Sequence, residues 1–263
     1  MSRSFVSTFD LSREVERVAA EYTARRFSGP GNPTGTQFLR RGGLLAMKVP
    51  FVPGNPFMNG VHGLEDAADL PAVLEFYAST EQCCWVDVTP CSTVALTDAL
   101  GRAGFRPVRY SSALYANPVP DPAPSDADIS IIGAADRDTF LDTMNVGFDT
   151  PVDALPTLRR NQSFWTDVPE WTLLLARVAG EPAAAAVLSI HGTHGYFAVA
   201  STLPRFRNRG LQSALIARRL QLAREHGCTS VIAYAESGSV SQCNQQRAGL
   251  AIVHTRCIWS NAS

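Results

Sequence analysis

With 263 residues, 45% of them hydrophobic, and a formal net charge of −1, the chain can build one large or two modest domains with real cores. Near-neutral charge argues against a dedicated nucleic-acid binder. No apolar run reaches the ~18–20 residues that span a bilayer, so no membrane partner is expected. Met1 to Asp10 lacks the charged-then-apolar order of a signal peptide. Cys83, Cys84, Cys91, Cys228, Cys243 and Cys257 form no Cys-x-x-Cys, and no histidine completes a zinc pattern. The expectation is a cytoplasmic protein with reduced, buried thiols and no metal.

In chain order, Asp10 to Arg26 predicts a helix with the apolar stripe Leu11, Val15, Val18, Ala19 and Tyr22. Ser28 to Thr36, rich in Gly and Pro, is a loop. Gly43 to Val52 reads as a strand and Val61 to Leu64 as a second. Between them lies the turn-rich Gly54 to Gly60. Prolines, glycines and amides on such a rim suit a binding loop, which makes Phe57, Asn59 and His62 the candidate substrate contacts of this half. Asp66 to Thr80 is helical with Leu70, Val73, Leu74 and Tyr77 inward. Cys84 to Val88 is a strand, Ser92 to Ala103 a helix, and Phe105 to Ala116 one long strand or a pair. Asn117 to Ser125 carries four prolines in nine residues. It reads as an extended linker, dividing the chain into 1–116, a linker at 117–126, and 127–263.

Beyond the linker, Ile129 to Ile132 is a strand. Asp136 to Phe148 is a helix with Phe140, Leu141, Met144 and Phe148 on one side, and Leu155 to Phe164 a second. Thr172 to Val178 and Ala183 to His191 are strands around a turn at Gly180-Glu181-Pro182. Tyr196 to Leu203 is a strand that feeds Pro204-Arg205-Phe206-Arg207-Asn208-Arg209-Gly210, and a helix begins at Leu211. Ser230 to Ala235, Ser239 to Ala248 and Ala251 to Trp259 close the chain as strand, helix and strand. Strand, basic glycine-containing turn and helix together hold an anion. The helix start has free N–H groups and the positive end of the dipole, and Gly210 leaves room.

Arg207-Asn208-Arg209-Gly210-Leu211-Gln212 resembles the pyrophosphate loop of the GCN5-related N-acetyltransferases (GNATs), which reads Arg or Gln, two residues, Gly, one residue, then Gly or Ala. Gln212 departs at the last position. The order β-α-α-β-β-β-α-β-α-β from Asp128 to Trp259 is similar to a complete GNAT domain. Arg247-Ala248-Gly249-Leu250 looks like its closing step, with Leu in place of the usual Phe. Arg102-Ala103-Gly104-Phe105 repeats that step in the first half. The implied fold class is α/β (α+β): two GNAT-like units, each a mixed, mostly antiparallel sheet flanked by helices. The first unit is degenerate, because Glu65, Asp66 and Asp69 stand where a phosphate loop would be.

The resemblance implies acetyl-CoA as co-substrate and direct acetyl transfer, in a ternary complex, to the amine of a small molecule. Ala200, Ser201 and Thr202 would pair with the pantetheine arm, and Thr202 would also polarise the thioester carbonyl. The pyrophosphate would take Arg207, Asn208, Arg209, Gly210, Leu211, Gln212 and Ser213, with Arg207 as its charge partner. Ser241 and Asn244 fall where the family contacts CoA. The family's usual acid, a Tyr, is replaced by Gln245; the nearby hydroxyls are Ser239, Ser241 and Tyr234, with Ser241 the catalytic candidate. Glu236, at the end of a parallel strand, is the candidate base or else a helix cap. Cys243, mid-helix with no paired His, reads as core rather than as an acyl-enzyme nucleophile. A non-catalytic acyl-CoA-binding protein and a protein or peptide acetyltransferase remain alternatives. A monomer is expected.

Overall fold

Side-chain alternation sets the strands and a 3.6-residue period sets the helices in the computed structural model, which describes residues 8–52, 55, 58–78 and 84–261. The order is α1 (Thr8–Ser28), β1 (Gln37–Arg41), β2 (Leu44–Lys48), β3 (Gly60–His62), α2 (Leu70–Ala78), β4 (Trp85–Val88), α3 (Val94–Arg102) and β5 (Arg106–Ala116). Then come β6 (Asp128–Ile131), α4 (Arg137–Gly147), α5 (Leu155–Gln162), β7 (Trp171–Val178), β8 (Glu181–His191) and β9 (His194–Thr202). The chain closes with α6 (Leu211–Glu225), β10 (Ser230–Glu236), α7 (Val240–Arg247) and β11 (Ala251–Ser260). Contacts divide it into two units. One comprises Met1–Ala113, Ala235–Ser237 and Ile252–Ser263; the other comprises Leu114–Tyr234 and Gly238–Ala251.

In the first unit the strands run β1-β2-β3-β4-β11. Only β3 and β4 are parallel, joined through α2. Both faces of β2 are covered, so the alternation expected of a half-exposed strand is absent. Leu44 and Ala46 join a core with Val61, Val73, Val86, Leu96 and Leu100, while Leu45 and Met47 pack with Ala20, Ala24 and Phe27 of α1. The last strand of the chain belongs here: Cys257 to Ser260 pairs antiparallel with Val88 to Trp85.

In the second unit the order is β6-β7-β8-β9-β10, antiparallel except for β9 with β10. Residues Ala183 to Leu188 of β8 are fully buried, and α4 and α6 pack against β8 and β9. Each unit is thus a mixed, mostly antiparallel sheet with helices, and each carries one parallel strand–helix–strand crossover.

Several local expectations change. Gln37 to Arg41 forms a strand that its polar composition concealed; none of its residues is buried. Phe105 to Ala116 is one strand from Arg106, not two. Leu74 is 37% and Phe148 51% exposed, because each sits at the margin of its helix's apolar stripe. The β7–β8 turn falls at Ala179-Gly180, both with positive φ, so that Glu181 already belongs to β8.

The repeated Arg-Ala-Gly step has a physical meaning. Phe105 N–H donates to Leu100 O and Leu250 N–H to Gln245 O, across Gly104 and Gly249 in the left-handed region. Both are Schellman ends, with Phe105 and Leu250 buried. The end of α6 is built alike, with Cys228 N–H on Ala223 O and Gly227 left-handed. The repeat is therefore helix-ending chemistry.

Candidate active site

The cleft begins where two parallel strands part. Registered pairs between β9 and β10 run only from His194 to Phe197, although β9 continues to Thr202. A bulge follows at once: Leu188 faces Phe197 and Ala186 faces Ala200, so Ala198 and Val199 together oppose Val187. Leu203 N–H donates to Ala183 O. Bonding direction alternates along an antiparallel strand, so Ser201 turns its backbone groups to β8, and Ala200 and Thr202 turn theirs to the edge that β10 has left.

At the end of β9 the chain enters a 3-10 turn, Pro204–Phe206, then Arg207 to Gly210. Asn208 (φ 63) and Gly210 (φ 76) are left-handed, and Gly210 caps α6 with no side-chain hydrogen bond. The first N–H groups of α6 thus face the cleft without an internal acceptor. The 3-10 turn Ala67–Asp69, which leads into α2, shows the contrast. There Asp66 accepts from Ala68 N–H at 2.8 Å, and Glu65 is held by a two-pronged contact from Arg13. The first unit satisfies that turn with its own carboxylate; the second leaves it open.

Loop, β9 edge and α7 enclose a cleft of about 590 Å³ lined by Gly147, Phe148, Ala200 to Thr202, Phe206 to Ser213, Val240, Ser241 and Asn244. Its only charged lining residues are Arg207 and Arg209. Twelve expected residues therefore meet in one place: Ala200, Ser201, Thr202, the six from Arg207 to Gln212, Ser213, Ser241 and Asn244. Within that set the roles differ. Ser201 Oγ donates to Met144 O at 2.9 Å and its backbone groups turn to β8, so its polar groups are engaged away from the cleft, while Leu211 is buried and meets the cleft mainly through its backbone. Ser241 Oγ accepts from Gln245 Nε2 at 3.3 Å, which leaves the serine's own hydrogen for the cleft. Gln245 is only 4% exposed and does not line the cleft.

Phe148 and Val240 went unanticipated. Both are exposed apolar side chains on the cleft wall, and both sit at a helix end: periodicity assigned Phe148 to the core side of its helix and gave no signal at Val240. Gly147 is the wall's tightest point: a Cβ there would stand 2.5 Å from Ser201 Oγ. Gly147→Ala is expected to break the Ser201–Met144 bond and to destabilise the protein by about 1–3 kcal/mol in urea unfolding. Adding Ser201→Ala should recover part of that loss; strictly additive losses would rule out this contact as the cause.

Arg219 of α6 adds a fixed cation. It is 1% exposed, donates to Leu215 O, and lies 4.6 Å above the Phe197 ring, with no carboxylate partner among the described residues. Burial pushes its pKa down to about 9, so it remains charged at neutral pH.

Other expected residues lie elsewhere. Asn59 is fully buried, its amide bonded to Val49 N–H, Val52 O and Asn55 O. His62 is 9% exposed and bonds Asp87 at 2.7 Å. The substrate-rim expectation is corrected for both: the Asn59 amide and His62 Nδ1 are bonded inside the first unit, and His62 Nε2 is buried there with no hydrogen-bond partner among the described residues. Phe57 lies outside the described residues. Glu236 belongs to the first unit, stays largely exposed with Arg109 at 4.0 Å, and does not line the cleft, so the base role is not carried forward. Neither does it cap α7, where Ser239 accepts from Gln242 N–H. Cys243 is exposed rather than core, and among the described cysteines only Cys84 and Cys228 are buried. Among the described residues no His, Cys, Asp and Glu cluster could hold a metal, and no helix is long and apolar enough to cross a membrane.

The acetyltransferase (GNAT) family model matches residues 139–250. No curated protein matches the chain. Similar solved structures include a functionally unknown conserved protein of Staphylococcus epidermidis (TM-score 0.65, 11% identity, 86% of this chain and 94% of that one). Another is a GCN5-related N-acetyltransferase of Kribbella flavida (0.63, 18%, 94% and 96%). A third is a tandem GNAT protein from the clavulanic acid biosynthesis pathway (0.61, 11%, 98% and 98%). At these identities the likeness is one of fold, and it extends over the full length.

Proposed function

We propose that this chain, whose residues 139–250 match the acetyltransferase (GNAT) family model, is an acetyl-CoA-dependent N-acetyltransferase acting on the amine of a small molecule. The observation that carries the reading is the uncapped start of α6, set in a cleft whose only charged lining residues are arginines. That donor set fits a pyrophosphate: free N–H groups, a left-handed glycine with nothing within 4 Å of a Cβ position, and positive charge.

Bound acetyl-CoA supplies an acyl thioester activated for attack. The chain's own groups do the rest. The edge at Ala200 and Thr202 offers the N–H and C=O of Ala200 and the N–H of Thr202 to an amide-bearing arm, as an added strand would use them, while Arg207 holds the Thr202 carbonyl. N–H groups fixed at that edge stabilise charge that develops on a carbonyl oxygen beside them. Ser241, with Gln245 donating to its oxygen, points its hydrogen at the cleft and donates to the departing sulfur. A thiol's acidity, near 8.5, makes that donation sufficient without full proton transfer. The proton lost by the attacking amine then goes to the thiolate through water.

The direct test is thiol release from acetyl-CoA across a panel of small amines, with peptides in parallel. Turnover on peptides alone would remove the small-molecule claim. Ser241→Ala is expected to lower kcat roughly tenfold while leaving KM for acetyl-CoA within about twofold. One observation favours a second reading, an acyl-CoA-binding protein without turnover: among the described residues no carboxylate, histidine, cysteine or tyrosine lines the cleft. Acetyl-CoA binding with no release on any amine would establish that reading.

A further inference from the structure

We infer that the two arginines of the loop divide the work. Arg207, the one that the motif singles out, is a positioning residue that ties the cleft walls together, and Arg209 supplies the charge that meets the phosphates. The inference rests on the acetyl-CoA reading for Arg209 and stands without it for Arg207.

The guanidinium of Arg207 is already engaged. Its Nε donates to Thr202 O at 3.3 Å and one terminal nitrogen to Gly147 O at 3.1 Å; that nitrogen also lies 3.4 Å from Asp149 Oδ1. These acceptors belong to three different pieces: the end of β9, the last turn of α4, and Asp149 two residues beyond it. Gly147 O is one of the carbonyls that a helix end leaves without an internal partner, and it sits at the negative end of the α4 dipole, where a cation is favoured. Asp149, held at φ 58, neutralises the charge. A planar fork can bridge acceptors spread in this way; an ammonium, as a point charge, cannot.

Arg209 differs on each count. It touches only the Phe206 ring, 5.4 Å from its centroid, and has no carboxylate partner among the described residues. It stands next to Gly210, the open cap of α6, and lines the same cleft. Its charge is therefore available to an anion at those N–H groups. Asn208, left-handed between the two arginines, separates the inward-tied one from the outward one.

The test pairs a conservative with a neutral substitution at each arginine. In the ligand-free protein, Arg207→Lys and Arg207→Gln should both speed amide hydrogen exchange over residues 145–150, whereas Arg209→Gln should leave it unchanged. In calorimetric titrations with acetyl-CoA, Arg209→Gln should weaken binding about five- to tenfold and flatten its dependence on salt, and Arg209→Lys should restore most of the loss. Arg207→Lys and Arg207→Gln should weaken binding to the same extent, within about twofold, and keep the wild-type salt dependence. Rescue by Arg207→Lys together with a flattened salt dependence in Arg207→Gln would make Arg207 a phosphate ligand and overturn the inference. Unchanged exchange in both Arg207 variants would remove the clamp whatever the binding shows. A wild type that fails to bind acetyl-CoA would count against the acetyltransferase reading and the Arg209 assignment together, and the exchange result would still decide Arg207.

Discussion

Gly210→Asp should abolish acetyl-CoA binding while leaving the fold intact. Gly210 is left-handed, and aspartate is among the side chains that accept that region at least cost. Held at φ 76 rather than in the extended conformation from which Asp66 caps its turn, the carboxylate would stand beside the first N–H groups of α6 as a fixed negative charge. Its interaction with the helix dipole, about 0.3–1 kcal/mol, would offset part of the backbone strain, so thermal stability should move by no more than a few degrees. The anion site would be filled from within and would repel phosphate. Loss of two or three charge-assisted bonds corresponds to about 3 kcal/mol or more, over a hundredfold in Kd. Gly210→Asn, equal in shape and neutral, should lose much less. Calorimetry on the three proteins checks this, and near-normal binding by Gly210→Asp would mean that the start of α6 holds no phosphate.

Arg256→Met should be the most destabilising single change in the first unit. One terminal nitrogen of Arg256 lies 2.6 Å from Asp87 Oδ2 and 3.4 Å from Glu16 Oε2. His62 meets Asp87 and His254 meets Glu16, each at 2.7 Å, and both carboxylates are more than nine-tenths buried. α1, β3, β4 and β11 are joined by this network. Removing the guanidinium strips two enclosed carboxylates of their strong cation, at a cost of about 3–5 kcal/mol, and Tm should fall by roughly 10 °C. The pH profile carries a sign. Burial raises the pKa of Asp87, but Arg256 and His62 outweigh it and hold the group below its ordinary value. A depressed folded pKa contributes stability above the unfolded value, near 3.9, and loses it as pH falls through the folded value. Urea midpoints should therefore be steady above about pH 5 and drop below about pH 4 in the wild type. In Arg256→Met the drop should begin at higher pH, and identical acid limbs in the two proteins would refute the account.

Both the basic glycine turn before α6 and the element order were legible in the sequence because their signals are local. Apolar spacing, a proline ahead of the loop, and glycines at helix ends each act within a few residues. What stayed hidden depends on distant partners. His62 and Asn59 looked like a polar rim, since nothing near them shows that Asp87 lies 25 residues on or that the amide staples its own loop. β1, with three polar residues in five, carries no strand pattern of its own and is defined by its pairing with β2. Arg207 and Arg209 differ by two positions and not at all in side chain. Only the carbonyls that gather around one of them tell their work apart.

The placement of β11 bears on synthesis. A chain emerges from the ribosome N-terminus first, and roughly 160 residues separate the end of β4 from the start of β11. At about 5–20 residues per second, that interval lasts on the order of ten to thirty seconds. Throughout it β4 has no neighbour on the side that β11 will occupy, and an unpaired strand edge invites pairing with other chains. The first unit must therefore wait until the second has been translated as far as Ala251. Messenger truncation or premature arrest would therefore be expected to yield a sticky nascent fragment rather than a half-sized folded protein.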